Sequence, residues 1–278
     1  ALSEVLVNIY NKLKNSKVTI VITGSGGIDI SQKLNIKFIQ EVIASTHAIE
    51  YFYPETDVVI ELGGEDAKVT YLTGGIDQRM NGICAGGTGA FIDQMASLLQ
   101  TDTFGLNELA KDYNVIYPIA SRCGVFAKTD IQPLINDGAK RSDIAMSIFN
   151  AVVVQTVSVL SCGRKIEGKV AFLGGPLHFL PSLRDRFKSV LKLDDKDIIF
   201  PEDAQLYVAM GASLLSKKEE AIKLDDLIKK IQSLNIDDLN TTDKLDPLFK
   251  DENDYNEFIK RHNKNTIKTC DISKFNGN

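Results

Sequence analysis

An apolar strand that ends in two glycines and returns through a second β-branched strand leaves a chain few ways to fold. Val58-Val59-Ile60-Glu61-Leu62-Gly63-Gly64-Glu65-Asp66, followed by a strand from Lys68 to Leu72, is such a stretch. The pattern predicts a hairpin in the body of a sheet, with a tip whose backbone comes close to another group, phosphate being the group it suits. The stretch continues as Asn81-Gly82-Ile83-Cys84-Ala85-Gly86-Gly87-Thr88-Gly89-Ala90-Phe91, and from Phe91 to Leu99 the apolar residues take helical spacing. Free N–H groups and the positive end of a helix at Gly86, Gly87 and Gly89 favour an anion. For one glycine loop alone, a tight turn without a ligand is the commoner explanation.

The same punctuation recurs. Val18 to Ile22 reads as a strand that stops at Thr23-Gly24-Ser25-Gly26-Gly27, and Lys169 to Leu173 as one that stops at Gly174-Gly175-Pro176. Strand ends of open α/β sheets face ligand. Four such glycine segments imply a cleft in which backbone approaches a ligand from both sides, as a nucleoside triphosphate requires. Glu61, Glu65 and Asp66 are then placed to hold Mg²⁺ directly or through water, although turn chemistry and solvation account for the same acids. Lys68 and Lys128 each follow a turn and suit phosphate as point charges, while a solvated surface lysine is the commoner occurrence. His47, His178 and His262 lack metal-ligand spacing and Ser25 lacks a nucleophile elbow, which disfavours zinc and hydrolase readings.

Elsewhere the spacing predicts helices from Ala1 to Leu13, over Ile39 to Ser45, near Leu106 to Lys111, from Asp143 to Leu160, from Leu180 to Leu191 and from Ala204 to Leu215, with a short strand at Ile198 to Phe200. Tyr117 to Ala127 follows no simple period, which sets Cys123 in a turn or a short element. From Ser216 charged and then Asn/Asp/Lys-rich sequence takes over. Residues 1–215 are expected to form an α/β domain, and residues 216–278 a peripheral amphipathic helix and a polar tail.

Net charge −5 without a Lys/Arg stripe disfavours nucleic acid. No apolar stretch is read as approaching the ~20 residues of a membrane span, and Ala1-Leu2-Ser3-Glu4 lacks a signal pattern, so no membrane association and a cytoplasmic location are expected. Four scattered cysteines, Cys84, Cys123, Cys162 and Cys270, do not make a disulfide framework. Cys84 and Cys123 amount to half of a four-sulfur site, which a two-fold dimer doubles. Inert burial is the commoner fate of free cysteine.

Ile60 to Lys68, Asn81 to Phe91, Ala120-Ser121-Arg122-Cys123-Gly124-Val125-Phe126-Ala127 and Leu173-Gly174-Gly175-Pro176 together resemble the ATP-dependent activators of 2-hydroxyacyl-CoA dehydratases and benzoyl-CoA reductases, the BadF/BadG/BcrA/BcrD type. The likeness spans about Val18 to Leu215 and is nearest to activase domains of large fused proteins. It implies an actin-like, Hsp70-like (ribonuclease H-like) α/β ATPase fold, here with a helical C-terminal extension. ATP and Mg²⁺ are implied in the interlobe cleft, and one [4Fe–4S] cluster is implied to bridge a homodimer. By this resemblance Cys84 and Cys123 hold the cluster. Gly63, Gly64 and Lys68 serve the phosphate side, with Glu65 and Asp66 as its candidate catalytic acids. Gly86, Gly87, Thr88 and Gly89 form the turn near the nucleotide, and Gly174 and Gly175 the adenosine loop. The implied activity is ATP-driven delivery of a low-potential electron from the cluster to a dehydratase or related reductase. One departure is that the family opens with an Asp-x-Gly-Ser/Thr hairpin, and nothing before Leu2 matches it. The expectation is therefore a fold incomplete at its N-terminus, with the activity belonging to an intact parent protein and the piece itself poor in nucleotide binding. A metal-free actin-like nucleotide-binding or scaffold domain of a larger fused protein is the alternative, and a small-molecule kinase on the same fold a third.

Overall fold

Strands buried on both faces must be apolar on both, and the two continuous apolar runs of the chain become the centre of its sheet. The computed structural model describes residues 2–10, 12–13, 16–82, 84–233 and 246–266, without the side chains of 2, 3 and 7; Ile83, Cys270 and the tail past 266 lie outside the described residues. In chain order the elements are α1 (Leu2–Tyr10), β1 (Lys17–Val18), α2 (Ile28–Leu34), α3 (Glu41–Phe52), β2 (Val58–Leu62), β3 (Ala67–Tyr71) and β4 (Asp77–Met80). There follow α4 (Gly89–Leu98), α5 (Thr103–Ala110), α6 (Gly124–Asn136), α7 (Arg141–Val154), β5 (Val170–Leu173), α8 (Gly175–Phe179), α9 (Pro181–Leu191) and β6 (Ile198–Ile199). The last are α10 (Tyr207–Ser216), β7 (Ile222–Lys223), α11 (Leu224–Gln232) and α12 (Glu252–Asn263).

The main sheet has the order β4-β3-β2-β5-β6. β2 runs antiparallel to β3 and parallel to β5, so the hairpin joins a parallel core at its centre. Strand alternation sorts the side chains. Val58, Ile60, Leu62, Val69, Tyr71 and Phe172 enter the larger core, with Ile148 and Phe149 of α7 and Phe187 of α9. Val59, Ala171 and Leu173 face the other way, toward Ala48 and Ile49 of α3 and Tyr207 of α10.

Several elements differ from expectation. Of the strand expected from Val18, only Lys17–Val18 pairs, with β7, and Ile22 makes a single bridge to Phe38. β-branched residues need a free neighbouring strand to realise their preference. The polar edge strand β4 has no apolar alternation to reveal it; Arg79 and Arg164 on Asp77, at 3.1 and 2.9 Å, hold it in place. Cys123 is the N-cap of α6, a 13-residue helix hidden by exposed Val125 and Phe126 and by Pro133 within it. Its buried residues, Ala127 and Ile131, are four apart. α7 runs on as a π-helical segment, Gln155–Leu160. Arg141–Leu160 has the length and mean hydropathy, 1.6, of a membrane span, contrary to the sequence expectation, and is 72% buried inside the protein. A core helix packed on several sides passes the same test as a membrane helix.

Contacts divide the chain into two units, Ala1–Ser233 and Leu234–Asn278. α11 belongs to the first, with Leu224 and Leu227 buried, so the packing boundary lies beyond residue 216. The charges at Lys217 to Glu220 mark a loop before it. In the second unit the Asp251 carboxylate accepts the Asp254 amide at 2.9 Å and caps α12.

α3 and α10 cross at Gly211, where a Cβ would lie 1.8 Å from the Ala44 carbonyl oxygen. Gly211→Ala is expected to push the two helices apart and lower stability by about 1–3 kcal/mol or more. A fall in the urea midpoint at unchanged slope measures it.

Candidate functional site

The hairpin tip is closed by the Gly63 amide donating to the Asp66 carbonyl at 2.7 Å. The carbonyls of Gly63 and Gly64 accept the amides of Gly89 and Ala90 at 2.9 and 2.7 Å, so the tip caps the first turn of α4. A Cβ on Gly89 would lie 3.2 Å from the Gly63 oxygen, which is why glycine starts this helix. The expected anion site at the N-terminus of α4 is thereby changed, because two of its amides are already used. The amides of Gly64, Glu65 and Asp66 instead make no hydrogen bond among the described residues. Three adjacent free amides at a turn are donors that an anion can use.

Two adjoining cavities meet at this tip. The first, 380 Å³, is lined by Gly63, Gly64, Glu65, Asp66 and Lys68 on one side and by Gly174 and Gly175 on another. Ser25, Glu41 and Gln205 close it from a third direction. The second, 530 Å³, shares Gly64, Glu65 and Gly175 with it and is more apolar, with Gly89, Thr103, Phe104, Pro176 and Phe179 around it. The Phe104 and Phe179 rings stand 6.3 Å apart, edge to face, and both are more than half exposed or at half exposure, 58% and 50%. Together the cavities form a cleft with a polar end and an apolar end.

At the polar end Lys68 lies directly across the ladder from Glu61. Its Nζ is 2.6 Å from Glu41 Oε2, 3.2 Å from Glu61 Oε1 and 3.8 Å from Asp66 Oδ2. Burial lowers the Lys68 pKa, but Glu61 and Glu41 more than offset this and leave it raised, so the ammonium stays charged. Beside it the Tyr207 phenol is held well above its ordinary value, chiefly by burial and then by Tyr53.

Gly86, Gly87 and Thr88 line neither cavity. A Cβ on Gly86 would lie 2.6 Å from the Arg122 carbonyl oxygen and one on Gly87 2.9 Å from Gln155 Cγ, while Thr88 is fully buried with its hydroxyl on the Ala85 carbonyl. The smallness of Gly86 brings the Cys84 loop against the start of α6, and that of Gly87 sets it against the π-helical segment. Cys84 Sγ is 3.0 Å from the Arg122 carbonyl oxygen, next to Cys123. Cys84 is exposed and Cys123 partly so, and Val125 and Phe126 beside them are 67% and 65% exposed. Among the described residues no three Cys, His, Asp or Glu side chains converge as a metal site, so one chain offers two sulfurs.

Thus Gly63, Gly64, Glu65, Asp66, Lys68, Gly174 and Gly175 gather in one cavity, Gly89 borders the next, and Cys84 and Cys123 share a neighbouring face. Sequence reasoning missed Glu41, Phe104 and Phe179. An acid at the start of a helix looks like a response to the helix dipole, and the two phenylalanines sit in windows that read as core.

Among known proteins, this chain is 30% identical over 223 residues to a 2-hydroxyisocaproyl-CoA dehydratase activator of Clostridioides difficile, covering 78% of this chain and 81% of that one. It is 32% identical over 197 residues to an activator of lactoyl-CoA dehydratase of Anaerotignum propionicum, covering 70% and 73%. The solved activator of 2-hydroxyisocaproyl-CoA dehydratase from Clostridium difficile with bound ADPNP superposes with a TM-score of 0.64 at 28% identity, covering 84% of each chain. The fold is the actin-like ATPase fold. Residues 1–216 match the model of the BadF/BadG/BcrA/BcrD ATPase family, and with the Gly63-Gly64 and Gly174-Gly175 turns at one cleft the chain belongs to that family.

Proposed function

We propose that the cleft binds ATP with Mg²⁺, and that two copies of the chain hold one [4Fe–4S] cluster through Cys84 and Cys123 of each. The reading has the base at the apolar end by Phe104 and Phe179, and the phosphates over the amides of Gly64, Glu65 and Asp66. The observation that carries it is the meeting of the hairpin tip, the Gly174-Gly175 turn and the start of α4 at that cleft. It has the size of a small-molecule site.

At the polar end Lys68 stands against Glu41, Glu61, Glu65 and Asp66, one positive charge to four negative, a net of −3. Phosphate entering such a pocket brings a divalent cation with it. Since no three side chains converge on an ion among the described residues, Mg²⁺ is shared with phosphate oxygens and water, near Glu65 and Asp66. Glu65 and Asp66 are the candidate acids for the hydrolytic step.

The cysteine face fits half of a cluster: two accessible sulfurs on touching loops, with apolar Val125 and Phe126 beside them to pack against a second copy. A two-fold contact presents that face twice. When bound, the cluster supplies a one-electron couple. In the proposed role that electron goes to a 2-hydroxyacyl-CoA dehydratase-type enzyme or related reductase, the kind of partner named for the relatives, and differential contacts with ATP and ADP drive the rearrangement that delivers it.

Iron and acid-labile sulfide in anoxically prepared protein, with ATP hydrolysis measured alongside, test the proposal. About two iron and two sulfide per chain are expected. Iron at zero with ATP still bound would select a metal-free nucleotide-binding domain of a larger protein instead.

A further inference from the structure

Glu41 is the first residue of α3, and its carboxylate reaches from that helix into the polar end of the cleft. Oε2 accepts a hydrogen bond from Lys68 Nζ at 2.6 Å, and Oε1 accepts one from the Ser25 amide at 3.3 Å, in the glycine turn that follows Ile22. The other carboxylates near Lys68 belong to the hairpin itself: Glu61 at 3.2 Å is its ladder partner, and Asp66 at 3.8 Å lies at the tip. The sheet register fixes these two. The Glu41 contact depends on where α3 stands relative to the hairpin. An ammonium has three protons; two go to Glu61 and Glu41, and Asp66 stands near the third. The Lys68 side chain is only 6% exposed and that of Glu41 27%, so neither is loosely solvated.

Resting on the nucleotide reading above, we propose that Glu41 is a built-in competitor for phosphate. In the empty cleft it holds Lys68, and an entering phosphate replaces it as the partner of that ammonium. Glu41 then keeps only the Ser25 amide. It is a positioning residue, and it ties α3 and the glycine turn at Ser25 to occupancy of the cleft. The exchange breaks no covalent bond: one anionic partner of Lys68 gives way to another, and the negative charge that phosphate adds is met by the Mg²⁺ that enters with it.

Titration of the chain with a non-hydrolysable ATP analogue and Mg²⁺ tests this. Glu41→Gln, which keeps size and hydrogen bonding, is expected to tighten binding about tenfold, the lower end of couplings between close charge pairs. Lys68→Met is expected to weaken it. In the Lys68→Met background, Glu41→Gln should change affinity by less than about twofold, as for independent sites. Glu41→Asp, which keeps the charge in the first turn of α3 but withdraws it from Lys68, covers failure of the Gln variant to fold and should shift affinity the same way by a smaller factor. Unchanged or weaker binding by Glu41→Gln, or a tenfold gain that persists without Lys68, overturns the inference and leaves the nucleotide reading intact. Absence of binding by the unaltered chain overturns both.

Discussion

Serine at Cys84 or at Cys123 is expected to remove the iron and the visible absorption of anoxically prepared protein altogether, rather than by half. A four-sulfur site shared across a two-fold axis loses two ligands, not one, when a single position changes, because the substitution occurs in both copies. A serine hydroxyl, far harder to deprotonate than a thiol, is a much poorer ligand for the cluster iron than the thiolates that hold such clusters. The control is Cys162→Ser. Cys162 is also exposed, but it lies just past the π-helical segment, where its Sγ is 3.2 Å from the Val159 carbonyl oxygen. Iron should be unchanged there. Retention of full iron in either Cys84→Ser or Cys123→Ser would remove these residues as ligands.

The second large effect belongs to Gly174. It has φ +90 and ψ 163, a region essentially restricted to glycine, and a Cβ there would lie 2.0 Å from the Leu62 carbonyl oxygen. Leu62 is the last residue of β2, directly before Gly63 and Gly64, and β5 pairs in parallel with β2 up to Glu61↔Leu173. A methyl group at this point separates the two central strands just behind the free amides of the tip. Gly174→Ala is expected to cost about 3 kcal/mol or more, strain and clash together, and to lower the melting temperature by about 6–12 °C. Nucleotide binding should fall below detection even where the variant remains folded. Gly175→Ala, with nothing within 4 Å of its Cβ, should retain most of the stability. Equal melting temperatures for the two variants would contradict the close approach of β5 to β2.

What the sequence reveals follows from the range over which each feature is determined. The hairpin, β2 and β5 are legible because continuous apolar runs and paired glycines are local properties of the chain. The gathering of their turns at one cleft is legible at the next level, since the ends of neighbouring strands lie together. Gly86 and Gly87 show the limit. Their sequence announces freedom to approach something, but whether that is an anion or a packed backbone depends on Arg122 and Gln155, far along the chain. Glu41 is less legible still, because its ion pair with Lys68 spans 27 residues and joins a helix to a strand. α6 escapes because the residues that break its apolar period, Val125 and Phe126, are those left exposed next to Cys123. Apolar residues left at the surface spoil the pattern by which a helix is recognised.

Equilibrium titration of the chain with the ATP analogue and Mg²⁺, followed in parallel with inorganic phosphate and with adenosine, addresses the cleft as a whole. Saturable binding of the analogue at one site per chain, competed by ADP and abolished in Gly174→Ala, is the predicted result. Binding that is absent, or that survives unchanged when the turn behind the hairpin tip is disrupted, would contradict a nucleotide held between these glycine turns.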